Sequence, residues 1–129
     1  MPDEEPEELP EEEPEETNVL DSILLSIKKL LGIESDYTHF DQDIIMYING
    51  VFMILNQLGV GPEEGYSITS DEETWSDYLG DVVNLEGVKT YIYLKVRLIF
   101  DPPSIASVID AIERLITELE WRLNSQVDT

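Results

Sequence analysis

Asp101-Pro102-Pro103 splits a 36-residue block, Val88 to Leu123, into two segments that no single helix can join. A residue before proline is pushed out of the helical region, and proline donates no N–H, so a helix arriving from the N-terminal side must end near Phe100. Beyond the break Ser104 is placed to cap a second helix. Ile105, Ile109, Ile112, Ile116, Leu119 and Leu123 then follow at spacings of 4, 3, 4, 3 and 4, which draws one apolar seam for a partner helix to cover. The chain is committed to a helical hairpin, and the hairpin carries no chemistry.

Other segments read the same way. Asn18 or Asp21 is placed to cap a first helix that buries Leu20, Ile23, Leu24, Ile27, Leu30 and Leu31 and stops at Gly32, with Lys28 and Lys29 complementing its negative end. Asp41 is suited to cap a second helix running to Leu58. Its residues are apolar on nearly every side, so it is either central or meets a second subunit, and Gly50 inside it permits close helix approach. GVGPEEG, Gly59 to Gly65, is loop, and Tyr66 to Thr69 alternates well enough for a short strand. A helical turn after Ser70 or Asp71 brings Trp75 and Tyr78 to the edge of the core. Asn84 caps a third long helix, Leu85 to Phe100. The fold class is mainly α: a small bundle of four principal helices near 20–31, 42–58, 85–100 and 104–124, with a short β or irregular excursion around 62–80.

Charge divides the chain into two parts. Pro2, Pro6, Pro10 and Pro14 recur among glutamates, and residues 1 to 16 hold ten acidic residues and no basic one. Composition therefore predicts a disordered acidic tail over 1–17, ahead of a helical domain over 18–129. The tail is either a solvating segment or an arm that touches a basic patch on a partner. Net charge is −22 for the chain and −12 for residues 17 to 129, which hold 19 acidic and 7 basic residues. Such a surface repels phosphate and anionic membrane, so sequence-reading nucleic-acid binding and membrane attachment are disfavoured. With no cysteine there are no disulfides, thiolate sites or thiol nucleophiles, which fits a reducing compartment. The acidic N-terminus does not resemble a signal peptide. The uncharged run Ile44 to Pro62 contains two asparagines, a glutamine and helix-ending glycines, which favour a buried core helix over a membrane span.

A search for a site finds none. His39 lies alone in ESDYTHFDQD, with no serine or cysteine near it to activate. Asp36, Asp41 and Asp43 fail the calcium-loop pattern, because Thr38 and Phe40 fall on ligand positions, position six is not glycine and position twelve is Tyr47. No phosphate loop, metal-binding helix or dinucleotide fingerprint occurs, so the expectation is a non-enzyme with no cofactor and no metal. Lys89, Tyr93 and Arg97 share one stripe of the third long helix and Lys95 lies off it, so three of the seven basic residues concentrate on this helix. These cations either pair with carboxylates of their own chain or meet an acidic face of a neighbour.

The helix-DPP-helix block, read with LDSILLSIKKLLGI and NQLGVGPEEGYSIT, closely resembles the small helical head-tail connector proteins of long-tailed bacteriophages. The resemblance runs from about Val19 to Asn124 and leaves the first sixteen residues outside. It implies a structural virion protein of the head-tail interface, assembled in the host cytoplasm. Its subunits would form a ring, twelve in the family's usual arrangement, below the portal protein and above a head-closure or tail-joining protein, with DNA crossing the lumen unread. On that reading Lys89, Lys95 and Arg97 are candidates for contact between subunits. Trp121 and Arg122, of the types that commonly anchor interfaces, are candidates for contact with a partner protein. The alternative class is a small acidic helical regulator or inhibitor that binds a basic partner as a nucleic-acid mimic, and it predicts a monomer or dimer.

Overall fold

The computed structural model describes residues 21–80 and 85–127, which form five helices: α1 (Ile23–Leu31), α2 (Asp41–Gln57), α3 (Trp75–Leu79), α4 (Leu85–Phe100) and α5 (Ala106–Val127). Helix α4 is central. It packs against α1, α2 and α5 and buries Val88, Tyr91, Ile92 and Val96. Against it α2 contributes Ile44, Ile48, Val51, Phe52 and Leu55, and α1 contributes Ile23, Leu24 and Ile27. Each such side chain removed from water contributes roughly 1.5–3 kcal/mol before entropy. Helix α5 folds back on α4 through the seam, with Ile116 and Leu123 buried and Ile109, Ile112 and Leu119 half-buried. The Tyr91 hydroxyl donates to Glu120 Oε2 at 2.7 Å and ties the two helices together.

The four principal helices and the break at Asp101-Pro102-Pro103 stand as predicted, and several boundaries move. Ser22 caps α1: its Oγ accepts from the Leu25 N–H and donates to the Asp71 carbonyl at 2.8 Å. Asp41 is the first residue inside α2, with Phe40 at the cap position, because its carboxylate is engaged elsewhere. Helix α3 starts later than expected, at a capping box in which Thr74 and Asp77 bond each other's backbone. Helix α5 opens at Ala106, with the Ile105 carbonyl accepting from Val108 and Ile109, while the Ile105 side chain is 59% exposed and leaves the seam. The caps expected at Asn18 and Asn84, and the tail 1–17, lie outside the described residues.

No strand occurs among the described residues, and Tyr66 to Thr69 is irregular. Side chains supply what a neighbouring strand would have given. The Asn49 amide accepts from Ile68 N–H at 2.8 Å and donates to the Ile68 carbonyl at 3.0 Å, as a strand partner does. Asn56 donates to the carbonyls of Pro62 (3.0 Å) and Glu63 (3.3 Å). Burial pushes the Glu73 carboxyl up, but hydrogen bonds from Thr69 and Ser70 to its oxygens outweigh this and hold it below its ordinary value. Gly61, at φ +88°, passes so close to the Tyr78 ring that a side chain there has no room. Trp75 and Tyr78 are buried members of the core, Trp75 donating to Ser26 Oγ at 2.9 Å.

Candidate functional site

Among the described residues the titratable groups do not assemble into a catalytic arrangement. His39 is exposed at the corner between α1 and α2, edge-on to Phe40 at 4.7 Å, and Phe40 in turn packs on Phe100 of α4 at 5.2 Å. Asp36 and Asp43 are exposed, whereas Asp41 turns inward. Among the described residues no three His, Asp or Glu side chains converge as metal ligands, and no helix is long and apolar enough to cross a membrane.

Asp41 turns inward because of Lys28. Expected to complement the end of α1, Lys28 is instead fully buried, with Nζ 2.8 Å from Asp41 Oδ1. That contact is an ion pair without hydrogen-bond alignment. The ammonium also donates to the carbonyls of Ser35 (3.1 Å) and Tyr37 (2.8 Å), so one charge closes the 32–40 loop against α1 and α2. A buried charge persists only when paired and hydrogen-bonded in this way. Lys29, one residue on, is exposed in the last turn of α1 as expected.

The basic residues of α4 do not converge into one patch. Lys89 is used internally: its Nζ lies 3.8 Å from Glu86 Oε2 and 5.7 Å from the centre of the Trp75 ring. Two turns on, Arg97 donates through Nη1 to the Tyr93 hydroxyl (3.2 Å) and through Nε to the Asp101 carbonyl (3.3 Å). It borders a cavity of about 190 Å³ with Leu30, Leu31 and Gly32. Lys95 is half-buried. Neither Lys95 nor Arg97 makes a salt bridge among the described residues. On α5, Trp121 is 70% exposed and points away from the seam, while Arg122 donates twice to Glu118 Oε2, at 2.7 and 2.9 Å.

The sequence reading left the outer face of α2 either to the core or to a second subunit, and did not single out the outer face of α5. Met46 and Met53 are 61% and 66% exposed on α2, and Met53 lines an open groove of about 540 Å³ between that helix and the 64–67 segment. Gly50, expected to permit close helix approach, is exposed, and a Cβ added there would meet nothing within 4 Å. Val108 and Leu115 are exposed on α5. The signal for α2 was present in its all-round apolarity, which a single small bundle cannot cover.

A family model described as phage connector protein matches residues 23–129, a span that contains all five helices and begins beyond the acidic tail. Comparison with curated proteins gives no match. Comparison with solved structures also gives none.

Proposed function

The chain belongs to the phage connector protein family, and from that premise we propose that it is the adaptor that joins the DNA-filled head to the tail. The family is one of structural components of the phage particle, and the match over residues 23–129 is the observation that carries the reading. In the proposal, subunits form a ring, twelve in the virion. The ring sits beneath the portal protein and receives a head-closure or tail-joining protein on its other side. The genome crosses the lumen.

An acidic domain suits a passage for DNA. Residues 17 to 129 carry −12, and a lumen that repels phosphate grips no strand, whereas a basic lining would retain the genome through counterion release. Lys95 and Arg97, which lack a carboxylate partner among the described residues, are the stronger candidates for subunit contact; Lys89 already has Glu86 and Trp75. Trp121, large and exposed, is the candidate anchor for a partner protein, with Arg122 beside it.

Sedimentation velocity of the chain alone and mixed with a candidate portal ring, with and without residues 1–17, tests the proposal. Assembly onto the portal in both forms is the expected result. A chain that ignores the portal and stays a monomer or dimer would shift the reading to an acidic regulator. Arg97→Glu is expected to abolish rings while the monomer stays helical; unchanged assembly removes Arg97 from the interface.

A further inference from the structure

The outward side of α2 has no use inside the subunit. Met46, Gly50 and Met53 stand one above another on the face opposite the buried Ile44, Ile48 and Leu55, and all three are exposed. A glycine in mid-helix costs helix stability relative to alanine. Here a Cβ added at position 50 would meet nothing within 4 Å, so no contact of its own chain requires the glycine. Methionines on either side supply a flexible apolar surface that adapts to a partner. Helix α5 carries a second unused stripe, turned away from its seam: Val108, Ala111 and Leu115, all exposed, with small Ala111 at its middle.

We propose that the Met46–Gly50–Met53 face of one copy packs against the Val108–Ala111–Leu115 stripe of the next, and that this contact repeats around the ring. The inference rests on the ring reading above and adds an apolar contact to the Lys95 and Arg97 candidates. Charge identifies the occupant as another copy. A chain of net charge −22 holding 29 acidic residues repels its own copies wherever carboxylates face each other. Ile44 to Pro62 contains no charged residue, and Val108, Ala111 and Leu115 carry no carboxylate; the nearest acids on these faces, Asp43 one turn before Met46 and Glu118 one turn after Leu115, lie at their ends, so the centres of the two surfaces are where two copies approach at least cost. Contact between two different faces is head-to-tail and can close into a ring, whereas α2 against α2 would stop at a dimer. Gly50 and Ala111 then lie where two helix backbones come closest.

The chain has no cysteine, so single thiols report contacts cleanly. Met53→Cys and Leu115→Cys proteins, mixed and oxidised under native conditions at high concentration, are expected to give the mixed disulfide dimer well in excess of either homodimer. A predominance of the Met53→Cys homodimer, a statistical mixture, or no disulfide overturns the pairing. Gly50→Leu separates assembly from folding. It removes a mid-helix glycine at an open site, so the monomer is expected to melt higher, while the concentration needed for assembly rises about tenfold or more, as for loss of a central contact. If the wild-type chain assembles and Gly50→Leu assembles equally well, this face is wrong and the ring reading stands. If the wild-type chain stays monomeric alone and with a portal ring, both fall.

Discussion

Lys28 and Asp41 offer the sharpest test of how this chain holds its shape. Lys28 is fully buried, the side chain of Asp41 is 20% exposed, and their charged atoms are 2.8 Å apart. Removing Asp41 leaves a buried ammonium with two carbonyl partners and no counter-ion. Such losses cost about 3–5 kcal/mol at fully buried sites, and the partial exposure of Asp41 places Asp41→Ala near the lower end, about 3 kcal/mol. Lys28→Met keeps the packed stem and removes the charge. It forfeits the bonds to Ser35 and Tyr37 and leaves Asp41 in the first turn of α2, where a helix N-terminus favours it, so the expected cost is about 2 kcal/mol. Once the ammonium is gone Asp41 has little left to do. The double variant is therefore expected at about 3 kcal/mol rather than the sum, a coupling of about 2 kcal/mol. Urea unfolding followed by circular dichroism at 222 nm measures all four corners of the cycle. Additive losses, or an Asp41→Ala cost below about 1 kcal/mol, would refute the claim that the ammonium needs this carboxylate.

Three further substitutions test the excursion between α2 and α4 and the hairpin that follows. Gly61→Ala forces a left-handed φ of +88° on alanine and drives its Cβ to 2.6 Å from the buried Tyr78 ring, so thermal unfolding is expected to show a loss of about 2–4 kcal/mol. Glu73→Gln weakens the acceptor that gathers Thr69 and Ser70, at a cost of about 1 kcal/mol near neutral pH. Because the folded state holds Glu73 below its ordinary value of 4.5, that contribution is fully present above this value and is lost as pH falls through the more acid range; the wild-type and variant stability curves are expected to meet there. Tyr91→Phe removes the 2.7 Å bond to Glu120 and is expected to lower the urea midpoint by the equivalent of about 1 kcal/mol without changing helicity.

The helices were legible because their causes are local. Proline geometry at Pro102 and Pro103, glycine at Gly32, and a period of three to four in the apolar residues are properties of short windows of sequence, and α1, α2, α4 and α5 follow from them. The excursion was not legible for the opposite reason. Ile68 is held by Asn49, nineteen residues earlier, and Ser22 reaches Asp71, forty-nine residues away. A period-two pattern at Tyr66 to Thr69 shows a segment ready to accept strand-like bonds without showing whether another strand or one asparagine provides them.

Lys28 was misread by the same logic: a lysine near a helix C-terminus already has a local explanation, and nothing in the window shows that the 32–40 loop folds over it. The cations of α4 illustrate the converse. Lys89, Tyr93 and Arg97 share a stripe in sequence, but the interactions of each are decided by what the rest of the chain brings alongside: Trp75 for Lys89, Asp101 for Arg97. Composition, by contrast, did reach the outer surface. A second helix apolar on all sides had to be either sheathed by its own chain or left with a face to spare, and α1, α4 and the 59–68 segment cover only part of it. What remains is Met46, Gly50 and Met53, an exposed stripe in a chain otherwise crowded with carboxylates. For a protein of the connector family, whose role is to be joined to others, that leftover apolar surface is the place where sequence and fold together point outside the subunit.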